Sequence, residues 1–214
     1  MMFPEVSFMD TKNTEYVVFD VETTGLSPQG GDRIIEIAAV RVKDWKIVDA
    51  FESLINPQRD LPIEAQRINN ITENMVAKAP TAAVVLPQMI DFTRGACLVG
   101  HNVKFDLNFL CFELSLIGRK LKDETPAIDT LKMAKELLPH LTSFRLPHVA
   151  HSLGAKIEET HRALPDVKLT ASVMMRLLSI AIDQNIHTFK NLHKHFGVPK
   201  PNFRIEQVNH EFVF

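Results

Sequence analysis

The stretch VVFDVETTGL, residues 17–26, brings Asp20 and Glu22 to the end of an apolar, strand-forming run. Side chains two apart on a strand share a face, so the two carboxylates point the same way. Carboxylates buried in an apolar strand are costly unless they are paired or bound to a metal. Two oxygen donors on one face suit a hard divalent cation such as magnesium or manganese. A solvent-facing edge with ordinary charges would account for them equally well. Two further acids stand where helices should begin: Asp106 after LVGHNVKF, and Asp166 beside Pro165. An acid in a first turn is favourable toward the helix dipole on its own account, so each also has a local explanation. His161 lies five residues before Asp166, in the loop THRALPD. A histidine titrates near working pH and suits a general base, while a lone loop histidine is also an ordinary surface residue.

The elements that must position these groups can be read from pattern. Tyr16–Val21 is expected as a buried strand, followed by a turn over Gly25–Asp32. Arg33–Val42 and Trp45–Ile55 read as two more strands, joined by Lys43–Asp44 in a hairpin. Helical character begins at Ile63, with Thr72 placed to cap a short helix. Thr81–Gly95 has helical spacing, but Pro87 inside it should kink or interrupt the helix. ACLVGHN is a fourth strand, and Val103–Gly118 an amphipathic helix on which Phe105, Phe109 and Phe112 read as core. PAIDTL is a short strand leading into a helix, RLPHVAHSLG a short helix, and Pro165–Ile182 the longest helix. HTFKNLHKHFG is expected as helix and the rest as extended chain. Three strands followed by alternating helices and strands predict an α/β domain on a mixed sheet, its first three strands antiparallel neighbours.

Bulk properties narrow the classes. The chain has 214 residues, 45% of them apolar, and a net charge of −2. That allows one sizeable core and excludes an overall basic field of the kind that grips long duplexes. Residues 1–14 are expected as a flexible leader, 15–182 as the main domain and 183–214 as a C-terminal extension. Cys97 and Cys111 form neither a disulfide framework nor a zinc spacing and read as small buried residues. No run approaches the ~18 apolar residues of a membrane span, so a cytoplasmic protein is expected.

In combination the motifs say more. FDVETTGL, LVGHNVKFD and HRALPD, in that order, closely resemble the three motifs of the DEDD-type 3′→5′ exonucleases, in the histidine subclass that includes DNA polymerase III proofreading (epsilon-like) exonucleases. DRIIEIAAVRV, NPQRDLP, NITENMVAKAP, IDTLKMAKELLP and LPHVAHSLG also resemble family positions, so the likeness runs from about Tyr16 to Leu178. The resemblance implies a ribonuclease-H-like fold, a mixed five-stranded sheet flanked by helices. It implies that Asp20, Glu22, Asp106 and Asp166 hold two Mg²⁺ or Mn²⁺ ions and that His161 activates water. Thr23, Thr24, Gly25 and Leu26 would cradle the terminal nucleotide, as well as ending the strand. His101 and Asn102 would contact substrate or support the loop. Lys104, Arg162 and Lys168 flank the motifs and are read as surface charge or phosphate contacts.

The expected activity is hydrolysis at single-stranded 3′ ends with release of nucleoside 5′-monophosphates, DNA favoured over RNA, in proofreading or repair. Two alternatives stand beside it: an RNA 3′-end trimming exonuclease, and a non-catalytic nucleic-acid or polymerase-binding module. The chain departs from the family at Asn69–Asn70, where many members have His-Gly. The tail segment QVNHEF, 207–212, loosely resembles peptides that bind sliding clamps, which gives a polymerase subunit or clamp as a possible partner.

Overall fold

The computed structural model describes residues 10–156 and 162–204. Five strands form one sheet in the order β3-β2-β1-β4-β5: β1 Tyr16–Thr23, β2 Ile34–Lys43, β3 Lys46–Leu54, β4 Cys97–Gly100 and β5 Ala127–Asp129. β1, β2 and β3 are antiparallel neighbours, whereas β4 and β5 run parallel to β1. Among the described residues, eight α-helices accompany them: α1 Ile63–Asn69, α2 Glu73–Ala77, α3 Ala82–Phe92, α4 Lys104–Leu116, α5 Thr130–Leu137, α6 Leu146–Ser152, α7 Ala163–Asp183 and α8 Phe189–Phe196.

Alternation on β1 assigns the layers. Tyr16 and Val18 face a core built with α5, α6, α7 and α8, whereas Val17, Phe19 and Val21 face a core built with α3 and α4. A third, smaller core joins Ile35 to Leu61, Ala65, Ile71 and Val76 beneath α1 and α2. Ile35 is the extra residue where the β1–β2 register slips, between Glu22↔Glu36 and Thr23↔Ile34. Such a bulge bends and re-aims a strand end.

Two local expectations change. The β2–β3 hairpin turns at Asp44–Trp45, one residue later than Lys43–Asp44, and both residues have positive φ, 48° and 62°. Those angles match the twist that a two-residue hairpin requires, and Asp44 tolerates them because its side chain is short and polar. Pro87 sits inside an unbroken α3. It is the sixth of eleven residues, so it withholds one N–H from the ladder, and the helix continues past it.

The chain after α7 is stitched into the domain. Phe189, Leu192 and Phe196 of α8 are buried in the α7-side core, and Val198 N donates to Ala127 O of β5 at 3.0 Å. At the other end, Thr11 N donates to His187 O at 3.0 Å. Among the described residues, no helix is long and apolar enough to cross a membrane.

Candidate active site

β1 outruns its neighbour. Its pairing with β4 stops at Val18↔Val99, and β4 ends at Gly100, so the last residues of β1 project past that strand. α4 begins just beyond this stop, and its third residue is Asp106. Asp106 is 3% exposed, and its Oδ1 accepts a hydrogen bond from Val21 N at 3.1 Å. The acid from α4 therefore takes the place that a strand would have filled, between Asp20 and Glu22. Asp166 lies in the first turn of α7, which packs on β1 and β2 from the other layer.

The electrostatics record the convergence. Burial, then the charges of Asp106, Glu22, Asp166 and Glu36, push the Asp20 carboxyl well above its ordinary range. Burial and the neighbouring acids raise Glu22 to about 7. Burial raises Asp106 to about 8, against the opposing pull of the Val21 N–H bond. Carboxylates from three distant segments thus feel one another in a poorly solvated space, where each disfavours ionisation of the next.

The turn after β1 is held by Asp32. Its carboxylate accepts from Thr24 Oγ1 at 3.1 Å and from Ser27 N at 3.0 Å, and Thr24 Oγ1 accepts from Arg33 N at 3.0 Å. A Cβ on Gly25 would meet that carboxylate at 2.4 Å, so any other residue here would have to push Asp32 aside. Thr23 Oγ1 donates to Gly25 O at 2.6 Å, and Leu26 is left 84% exposed at the tip. The Asn69–Asn70 pair also belongs to this turn. Asn69 is buried and its Nδ2 donates to Thr23 O at 3.1 Å, while Asn70 ends α1 with φ 54°, a left-handed position that asparagine tolerates.

His101 and Asn102 are placed differently from each other. The His101 ring lies 2.9 Å from Thr130 Oγ1 through Nδ1 and 2.8 Å from Phe144 O through Nε2. A carbonyl only accepts, so Nε2 carries the proton, and burial lowers the ring's pKa below its ordinary value. The ring ties β4 to the loop before α6. Asn102 is exposed with φ 65°, and its N donates to Asp129 Oδ1 at 2.9 Å. His161 lies outside the described residues.

Glu36 is the acid that pattern reading missed. It is fully buried on β2, opposite Glu22. Arg162 meets it with Nε and Nη2, at 3.1 and 2.5 Å, and Ala163 N donates to it at 3.0 Å. The start of α7 is thereby locked to the sheet beside Glu22, and the Arg162 guanidinium, read from sequence as surface charge or a phosphate contact, is engaged within the fold. The signal was present: IIEIAAV is another acid inside an apolar strand, as Asp20 and Glu22 are.

Residues 17–174 match the family model described as "Exonuclease" (RNase_T). The chain belongs to this exonuclease family. A PolC-type DNA polymerase III of Clostridium perfringens is 39% identical over 193 residues, covering 90% of this chain and 13% of the relative. A DNA polymerase III subunit epsilon-like protein of Rhodobacter capsulatus is 40% identical over 178 residues, 81% of this chain and 25% of that protein. The exonuclease domain here thus spans about an eighth to a quarter of these relatives. The solved structure of exonuclease X with 5′-overhanging duplex DNA is 27% identical with a TM-score of 0.64, covering 83% of this chain and 97% of that one. The nuclease domain of 3′hExo, a DEDDh member bound to rAMP, shares the fold at a TM-score of 0.70 and 22% identity, over 80% of this chain and 94% of that one.

Exonucleases of this family depend on divalent metal. Among the described residues, no group of three or more acidic, histidine or cysteine side chains is placed to hold a metal ion. The donor set nonetheless fits a hard cation. It is made of carboxylate oxygens, and the mutual repulsion centred on Asp20 is relieved by bound positive charge.

Proposed function

We propose that this domain is a metal-dependent 3′→5′ exonuclease that hydrolyses phosphodiester bonds at single-stranded 3′ ends and releases nucleoside 5′-monophosphates. The observation that carries this reading is the seating of Asp106 on the Val21 N–H, which puts an acid from α4 between the two acids of β1. Asp20, Glu22, Asp106 and Asp166 would hold Mg²⁺ or Mn²⁺. When bound, two such ions offset the charge that develops on the phosphate and its attacking and leaving oxygens.

The chain's own residues do the rest. The Thr23–Leu26 turn, braced by Asp32 and Asn69, presents the exposed Leu26 side chain to a terminal nucleotide. That end capture favours exonuclease over endonuclease action. His161 takes the proton of the attacking water, a role worth ~10²–10⁴-fold in rate. The Arg162–Glu36 lock fixes the start of the helix that bears Asp166.

Likeness to the PolC-type and epsilon-like relatives supports DNA as substrate, proofreading or repair as the setting, a polymerase assembly as partner and the cytoplasm as location. The sliding-clamp segment 207–212 lies outside the described residues. Matched 3′-labelled DNA and RNA oligomers, incubated with Mg²⁺ or Mn²⁺, test the proposal against Asp20→Ala and His161→Ala. Stepwise loss of 3′ nucleotides from DNA, abolished by EDTA and by either substitution, is expected. Faster trimming of RNA would move the assignment to RNA ends, and equal activity in all three proteins would refute it.

A further inference from the structure

A second charged surface lies beside the acids. A groove of about 330 Å³ opens at the carboxyl ends of β4 and β5, lined by Asn102, Lys104, Asp129, Lys132, Lys135 and Pro199 among others. Parallel strands end here and two helices begin, α4 at Lys104 and α5 at Thr130, so the positive ends of both dipoles face the opening. Lys104, Lys132 and Lys135 are all exposed, and the last two share one face of α5 through their spacing of three. The single acid in this lining, Asp129, is buried and already accepts from Asn102 N and Leu131 N, each at 2.9 Å. The chain leaving α8 forms part of the wall, where Gly197 bridges Ile128 and its carbonyl lies 3.4 Å from Lys132 Nζ. In a chain whose net charge is −2, this gathering of cations is local. β4 and β5 run parallel to β1, so the groove at their carboxyl ends opens at the same edge of the sheet as Asp20 and Glu22 at the end of β1.

We propose that this groove holds the sugar–phosphate backbone of the strand whose 3′ end lies at the acids, gripping phosphates upstream of the bond to be cut. The proposal rests on the nuclease reading above. Lysines contact phosphates as point charges and leave base edges unread, so the grip is independent of sequence and weakens with salt. It lets the enzyme retain a strand while successive terminal nucleotides are removed.

Two measurements on the full chain separate the groove from the chemistry. Binding of a 5′-fluorescein-labelled single-stranded DNA 12-mer is followed by anisotropy in EDTA, across a salt series. Lys132→Ala/Lys135→Ala is expected to weaken binding about tenfold near 0.1 M salt and to reduce the salt slope by about 1.4, at ~0.7 per phosphate contact. Hydrolysis of the p-nitrophenyl ester of thymidine 5′-monophosphate, which has no upstream phosphate, is expected to stay at the wild-type rate in that variant. Lys132→Glu/Lys135→Glu should weaken the 12-mer further, with unchanged thermal unfolding. Wild-type affinity and salt slope in both variants would overturn the groove. A wild-type protein that fails to hydrolyse the ester but loses 12-mer binding on Lys132/Lys135 substitution would overturn the nuclease chemistry and leave the groove standing.

Discussion

Two groups of buried or half-buried acids in this domain are handled in opposite ways. Glu113 and Glu36 are each matched to an arginine. Arg33 meets Glu113 through Nε and Nη2, both at 2.7 Å, with Ile34 N adding a bond at 3.2 Å, and Arg162 does the same for Glu36. Asp20, Glu22 and Asp106 instead lie against one another, and burial and mutual repulsion raise all three. A two-pronged guanidinium settles an acid's charge within the fold, so Glu113 and Glu36 fasten elements together. Among the described residues no guanidinium is bonded to the second group, and its remaining demand for positive charge suits an ion from outside the chain. Burial alone does not mark a functional acid; the absence of a matched cation around it does.

The comparison breaks most visibly at Asp106. Asn at that position keeps an acceptor for Val21 N–H and deletes the charge, so turnover on 3′-labelled single-stranded DNA should fall by more than about 10³-fold. In EDTA the same variant should unfold at equal or higher stability, by about 1–2 kcal/mol in urea titrations, because repulsion has been removed. Full turnover would place Asp106 among the structural acids.

Next come the two matched acids. Glu36→Gln and Glu113→Gln should each cost about 1–3 kcal/mol by leaving an arginine poorly paired. Only Glu36→Gln should also lower kcat, by about 10–100-fold, since its partners begin the helix that carries Asp166. Equal kcat losses in the two variants would remove the distinction between them.

The pH dependence of stability sharpens the contrast. Glu22 near 7 and Asp106 near 8 both lie above the ordinary carboxyl range of about 4, so the folded protein binds protons that the unfolded chain releases. Metal-free stability from these groups is therefore present below about pH 4 and is lost as pH rises through about 8, with a slope approaching 1.4 kcal/mol per pH unit for each titrating proton. Saturating Mg²⁺ should flatten that decline. A flat profile in chelator, read by urea midpoints at each pH, would show that the acids do not repel as described. The smallest effect is expected at Asn70→Gly, within about 0.5 kcal/mol, because glycine suits the left-handed geometry. Asn69→Ala, which frees Thr23 O, should instead raise KM for oligomers several-fold; an unchanged KM would separate α1 from the substrate turn.

Much of this was legible in the chain. The three strands, the crossover helices and the settings of Asp20, Glu22, Asp106 and Asp166 follow from alternation, helix starts and turn residues. Pairings across long separations were not. Arg162 and Glu36 are 126 residues apart, and neither neighbourhood names the other. The jobs of Asn69 and Asp32 were equally hidden, because each depends on a backbone atom brought near by the turn. The Asp44–Trp45 turn was misplaced by one residue because Trp45 reads as a strand former, while hairpin twist decided where it lies.

The lock between Glu36 and α7 also bears on synthesis. The β1–β3 meander leaves the ribosome early and could pair at once, but Glu36 has no counter-charge until Arg162 emerges. A nascent chain halted before that point would have to bury a bare carboxylate in its central sheet, and it would lack Asp166. Completion of the fold and arming of the nuclease would then be one late event, so that an unfinished polypeptide carries no cutting activity; protease-sensitive chains released at residue 160 would bear this out.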